Sequence, residues 1–253
     1  MRLEDTSGHN LDCGQTDTMK TFAITHPGLV REDNEDRCLS VELDGGSVLL
    51  AVADGMGGEA GGGLAAQLAK DCLEDFDPYS PEPEAHLLSL MQNAHQEILR
   101  LIHDTPYYQG MGTTLTAAFA TENRVHWAHI GDSRFYLFSG TELRQVTEDH
   151  TIPALLLKDG EITEAEAAIH PMRNILLRFI GSKHLQVDTG SLDLREGDLL
   201  LLSTDGFHAE VSVETIVSIL SSETDLEKRL ESLVREALKE GGQDNIAIVG
   251  LEP

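Results

Sequence analysis

Five aspartates in this sequence share one context. Asp54 follows the apolar run Ser47-Val-Leu-Leu-Ala-Val-Ala53 and precedes Gly55. Asp132 follows Trp127-Ala-His-Ile-Gly131, and Asp205 follows Leu199-Leu-Leu-Leu-Ser-Thr204. Asp244 precedes Asn245-Ile-Ala-Ile-Val249, and Asp36, with Glu35 before it, opens Arg37 to Leu43. Strand ends of one sheet system lie together, so carboxylates far apart in sequence can converge. Converged carboxylates cannot all stay ionised without a compensating positive charge. An oxygen-only donor set suits hard cations such as Mg²⁺, Mn²⁺ or Ca²⁺. Glycine at position 55 leaves its carbonyl open as one more oxygen donor. Any single Asp-Gly or Asp-Asn pair reads more simply as a turn. The recurrence at five strand ends favours the metal reading.

The elements that must position these residues follow from periodicity and breakers. Short strands are expected at Thr21–Thr25 and Arg37–Leu43, and a central buried one at Ser47–Ala53. A glycine-rich loop then leads into a helix from about Gly62 to Phe76. Asp77-Pro78-Tyr-Ser-Pro81-Glu-Pro83 breaks it before a second helix, Glu84–Asp104. Strands follow at Thr113–Ala120, Arg124–Ile130 and Arg134–Phe138, then a mixed, partly helical insertion over 151–181. Leu185–Leu192 and Asp198–Ser203 read as strands, Val213–Leu220 and Asp225–Lys239 as helices, and Asn245–Leu251 as a last strand. Strands and helices come in blocks, which predicts an α+β domain over residues 21–253, preceded by a polar, flexible extension over 1–20.

Bulk composition narrows the classes. The chain has 253 residues and a formal charge of −26, which opposes nucleic acid and anionic membranes. No apolar run nears the roughly 18 residues of a membrane span, and Met1 to Lys20 lacks a secretory core. A cytoplasmic monomer is expected. Cys13, Cys38 and Cys72 are too few and too scattered for disulfides or a zinc site. His126 and His129, three apart on a strand, point to opposite faces and share no ion.

Six segments occur here in a fixed order: Arg31-Glu-Asp-Asn-Glu35-Asp36, Ala53-Asp54-Gly55-Met56-Gly57-Gly58, Gly110-Met-Gly112-Thr113-Thr114, Gly131-Asp132-Ser133-Arg134, Ser203-Thr-Asp205-Gly206 and Gly242-Gln-Asp244-Asn245. That order resembles the protein phosphatase 2C-like, metal-dependent serine/threonine phosphatases, in their bacterial form, from about Phe22 to Leu251. The resemblance implies two central antiparallel sheets flanked by helices, a four-layer α-β-β-α sandwich. It implies that Asp54, Asp205, Asp244 and the Gly55 carbonyl hold two Mn²⁺ or Mg²⁺ ions, supported by Asp36, with Glu35 as a further candidate. Asp132 would join Asp205 at a weaker third ion, and Arg31 would grip the substrate phosphate as a cationic fork. Residues 151–181 would form a flap. Substrates would be phosphorylated proteins, such as a Ser/Thr kinase or its targets, hydrolysed by an activated water without a covalent intermediate.

One departure matters: animal relatives carry a His after the Asp-Gly pair, where this chain has Met56, which cannot donate a proton. The general acid is left unassigned. His170, in His170-Pro171, is either a substrate contact or an ordinary structural His. Thr113 and Thr114 either orient the acidic cluster or simply favour a strand.

Two other readings compete. Gly55-Met-Gly57-Gly-Glu-Ala60 matches a dinucleotide-binding Gly-x-Gly-x-x-Ala, with Asp71, Glu74 and Asp75 downstream. That unit needs a second parallel strand directly after its helix, whereas a second helix is expected here. A catalytically inactive, phosphatase-like sensor would have lost metal carboxylates, and all five aspartates are present.

Overall fold

In this computed structural model the described residues are 19–253; residues 1–18 of the expected extension, Cys13 among them, lie outside them. The chain runs β1 (Lys20–His26), β2 (Arg37–Glu42), β3 (Val48–Ala53), β4 (Gly55–Met56), α1 (Gly58–Leu73) and α2 (Pro83–Asp104). It continues through β5 (Gly112–Thr113), β6 (Leu115–Ala120), β7 (Arg124–Ile130), β8 (Arg134–Ser139), β9 (Glu142–Gln145), α3 (Ile152–Lys158) and α4 (Glu164–Ala168). The last elements are β10 (Asp188–Asp193), β11 (Asp198–Ser203), α5 (Asp205–His208), α6 (Val213–Leu220), α7 (Leu226–Glu240) and β12 (Ile246–Glu252).

Two five-stranded antiparallel sheets, ordered β1-β12-β11-β8-β9 and β10-β7-β6-β3-β2, make the centre. Side chains alternate across a strand, so a strand buried on both faces needs apolar residues throughout. β3 shows this directly. Val48, Leu50 and Val52 join Leu200, Leu202 and Val249 between the sheets, while Leu49, Ala51 and Ala53 face Leu73, Leu87 and Met91 of α1 and α2. On the other side Leu199, Leu201, Ile246 and Ile248 pack against Leu230, Leu233 and Ala237 of α7 and Ile216 of α6. Three apolar layers therefore separate four structural layers, the sandwich expected from the sequence.

Some boundaries differ, each for a local reason. Met19 is buried between the sheets and Lys20 opens β1, so the fold begins within the segment expected to be extension. Helix α1 starts at Gly58, four residues before the expected Gly62, with its glycine run inside the helix. A helix there must pass close to the loop after β3: a Cβ on Gly55 would lie 2.2 Å from the Gly62 carbonyl oxygen. The single strand expected over Thr113–Ala120 is divided into β5 and β6, because the chain at Thr113 and Thr114 turns its hydrogen bonds toward Asp54. The strand expected to begin at Leu185 begins at Asp188, and α5 was not anticipated.

Helix α1 is followed by α2, and every pair in the two main sheets is antiparallel, so among the described residues there is no parallel β-α-β unit of a dinucleotide site. Among the described residues no helix is long and apolar enough to cross a membrane. Cys38 and Cys72 are free thiols. His126 and His129 face opposite sides of β7: His126 meets Glu84 of α2, and His129 meets Thr116 and the Glu148 carbonyl.

Candidate metal and phosphate site

A cleft of about 670 Å³ opens where the apolar strands end. Asp54, Gly55, Asp132, Asp205 and Asp244 line it, with Arg31, Glu35, Met56, Thr114 and Asn245. Asn174, Ile175, Leu176 and Phe179, from the insertion between β9 and β10, close its other side. Asp36 lies beneath the cleft, almost fully buried, rather than on its wall.

Each carboxylate is fixed by backbone it did not choose. The Asp54 peptide is clamped on both sides: Thr114 Oγ1 accepts its N–H at 2.9 Å, and its carbonyl accepts Thr113 Oγ1–H at 2.8 Å and the Thr114 N–H at 2.9 Å. Both threonines thus orient the cluster, and strand propensity alone does not explain them. Asp36 accepts the buried Thr204 hydroxyl at 2.7 Å. Asp205 sits in the first turn of α5, where N–H groups without helical partners favour a negative charge.

The charge balance is strained. Burial, followed by the neighbouring carboxylates, holds Asp36, Asp54 and Asp132 well above the usual carboxylate range. Asp205 is also raised, by burial first, while a hydrogen bond from Asp54 works against the shift. Burial and crowding therefore favour the protonated forms of these carboxyls when no other positive charge is at hand. Arg31, on the cleft wall, donates to Asp244 at 2.7 Å, which raises its own pKa further. Both partners are largely exposed, 54% and 39%, so this pair is weak and easily exchanged for a better anion.

The oxygens converge without closing a cage: among the described residues no three Asp, Glu, His or Cys side chains are drawn tightly around one point. Four of the aspartates face a common cleft instead, with Arg31 on Asp244, while Asp36 beneath them is held by Thr204. A buried all-oxygen set that holds protons because it lacks countercharge matches what a hard divalent cation requires.

Two expected residues are placed differently from the rest. Glu35 lines the cleft, but its Oε1 accepts the Gly63 N–H at 3.2 Å and thereby anchors α1. His170 does not line the cleft; its Nδ1 accepts the Met172 N–H at 3.2 Å within its own turn, the structural alternative. Met56 lines the cleft and offers no proton.

Asn245 carries no distinctive chemical signal in the sequence, yet it organises the site. Its Nδ2 donates to the Pro27 and Asp33 carbonyls at 2.9 Å each, and its Oδ1 accepts the Glu35 N–H at 2.8 Å. It therefore ties the loop bearing Arg31 to the strand that follows Asp244. Asn245→Ala is expected to leave three backbone groups without partners and to cost about 2–4 kcal/mol, measured by urea unfolding. It should also raise KM for a phosphopeptide, because Arg31 loses its frame.

The family model of protein phosphatase 2C matches residues 30–247. The chain belongs to the protein phosphatase 2C family. It is 37% identical over 239 residues to the protein phosphatase PhpP of Streptococcus pneumoniae, covering 91% of this chain and 96% of that one. It is 35% identical to the serine/threonine phosphatase stp of Listeria monocytogenes, over 90% and 93% of the two chains. The catalytic domain of the serine/threonine protein phosphatase PstP, solved with two manganese ions, superposes with a TM-score of 0.83 at 34% identity, over 92% of this chain and 97% of that one. Membership carries the activity: this phosphatase is a phosphoric monoester hydrolase of the serine/threonine protein class, and the dinucleotide and inactive-sensor readings are set aside.

Proposed function

We propose that this phosphatase hydrolyses phosphoserine and phosphothreonine in cytoplasmic proteins, a Ser/Thr kinase or its targets among them, using Mn²⁺ or Mg²⁺ held by its aspartates. The convergence of Asp54, Asp132, Asp205 and Asp244 on one cleft with Arg31 at its wall is the observation that supports this. Asp54, Asp205, Asp244 and the Gly55 carbonyl would hold two ions, and Asp132 with Asp205 a weaker third. Asp36 would support them from below, through the oxygen that does not accept from Thr204. Such ions acidify water and offset the charge that develops on a phosphoryl group.

The chain's own residues do the rest. Arg31 can leave the exposed Asp244 pair for a phosphate, a stronger and better matched anion. Thr113, Thr114 and Thr204 keep the carboxylates from collapsing away from the cleft. Residues 151–181 act as a flap, since Asn174, Ile175 and Leu176 reach the same cleft. The leaving serine or threonine oxygen takes its proton from a donor other than Met56.

The reading is tested with a phosphothreonine peptide in ¹⁸O-water. Mn²⁺ should support turnover, chelator should abolish it, and each phosphate released should carry one solvent oxygen, with no phosphate left on the protein. Turnover indifferent to chelator, or a phosphorylated protein on the pathway, would sink it.

A further inference from the structure

Gly131, the residue before Asp132, is held by a residue outside the six ordered segments. His150 is almost fully buried at the base of the flap, and it bonds twice to Gly131. Its backbone N–H donates to the Gly131 carbonyl at 2.8 Å, and its ring Nδ1 accepts the Gly131 N–H at 3.0 Å. Gly131 can move little on its other side. It has φ +114, and a Cβ there would lie 2.5 Å from the Thr114 side chain, the same threonine that holds the Asp54 N–H. The Asp132 carboxylate projects from the next residue into the cleft.

The ring's tautomer follows from its partners. A nitrogen that accepts from a backbone N–H carries no proton, so the proton is on Nε2, which donates to Asp188 Oδ2 at 3.1 Å. The other Asp188 oxygen accepts Arg178 Nη1 at 3.1 Å. Arg178 also stands 3.4 Å from His150 Nε2, but both atoms are donors in this tautomer, so the two are joined through Asp188 and not to each other. Burial favours the neutral ring, and His129 lies tilted against it with centroids 4.8 Å apart. Arg178 lies on the flap's return segment, where the Leu177 N–H also donates to the His150 carbonyl at 2.8 Å.

We propose that His150 is a positioning residue for Asp132: by accepting the Gly131 N–H it fixes the peptide from which that carboxylate projects, while Asp188 and Arg178 hold it in the accepting tautomer. Flap and outer carboxylate are thereby joined through one imidazole. The proposal rests on the reading of Asp132 as a carboxylate used in turnover, and its test separates the two.

His150→Asn places an amide oxygen near the Nδ1 position, whereas His150→Gln reaches toward Asp188 and leaves the Gly131 N–H without an acceptor. In His150→Gln the Mn²⁺ concentration for half-maximal turnover should rise about 10-fold or more, with KM for the phosphopeptide changed less than about two-fold. His150→Asn should restore most of the loss. Mn²⁺ binding followed by electron paramagnetic resonance, without substrate, should show the weakest ion lost in His150→Gln and in Asp132→Ala, with the tighter ions kept. In an Asp132→Ala background, His150→Gln should add nothing. Equal deficits in Asn and Gln, or a His150→Gln loss that multiplies that of Asp132→Ala, would overturn the proposal. An Asp132→Ala enzyme with normal turnover would overturn the reading of Asp132 instead. If the variants do not fold, ¹⁵N imidazole shifts of the unaltered protein decide, and a protonated His150 Nδ1 rejects the proposal.

Discussion

Asp54→Asn is expected to abolish turnover and, in the same molecule without metal, to raise stability. Asp54 ends β3 among Asp36, Asp205 and Asp132, and burial with those three neighbours disfavours its charge. Asparagine keeps the shape, and its amide can still donate toward Asp205. It removes one potential anion from a crowded, desolvated site, which should stabilise the metal-free fold by about 1–2 kcal/mol. The same change removes a charged oxygen from the proposed two-ion centre, and turnover of a phosphothreonine peptide should fall about 10³-fold or more. Alanine would serve less well, because it also deletes the hydrogen bond and leaves a void. Urea unfolding in chelator and the peptide assay in Mn²⁺ give the two numbers. An active Asn variant, or one less stable than the unaltered protein without metal, would show that Asp54 is a structural carboxylate.

That opposition between function and stability explains which parts of the site could be read from the sequence. Layering is periodic, so β3, β11 and β12 announce themselves as continuous apolar runs whose alternate residues face different layers. Asp54, Asp205 and Asp244 are legible because each breaks such a run at a strand end. A carboxylate there costs stability unless something binds it. The residues that steady them carry no such mark. Thr204 reaches Asp36 across 168 positions, Asn245 reaches Glu35 across 210, and Arg31 meets Asp244 across 213. Ordinary hydroxyls and amides acquire their roles only when the fold brings those segments together. Helix α1 shows the reverse error, since glycines that read as a loop lie inside a helix, where Gly61 passes closely against Met111. His170 shows a third case: the His-Pro pair is conspicuous in sequence, yet its ring satisfies its own turn, whereas the inconspicuous His150 reaches the Asp132 turn.

Thermal unfolding should separate metal-free and Mn²⁺-saturated protein by roughly 10–20 °C, and the gap should widen as pH rises from 5.5 to 8. The size follows from two ions, each at about 100 times its Kd, contributing about 2.7 kcal/mol apiece, with about 2–4 °C per kcal/mol in a domain of this length. The slope follows from Asp36, Asp54, Asp132 and Asp205. A carboxyl whose folded pKa lies above its unfolded value, about 3.9, binds its proton more tightly in the folded state. Its contribution is complete below the unfolded pKa and is lost as pH climbs through the folded one, so metal-free protein weakens as the cluster ionises. Cations that take the protons' place reverse that loss, because ionised oxygens bind them better. Burial draws four histidines of the described residues the other way, His129 to about 4, with His95, His150 and His208 also lowered. Their contribution is full above an unfolded pKa of about 6.5 and falls as pH drops. It is common to both forms and cancels in the gap, which is why the difference in Tm is the quantity to measure. In Asp54→Asn the gap should shrink toward zero at every pH. A gap that narrows with rising pH, or one that Asp54→Asn leaves intact, would mean that these aspartates are not where the ions bind.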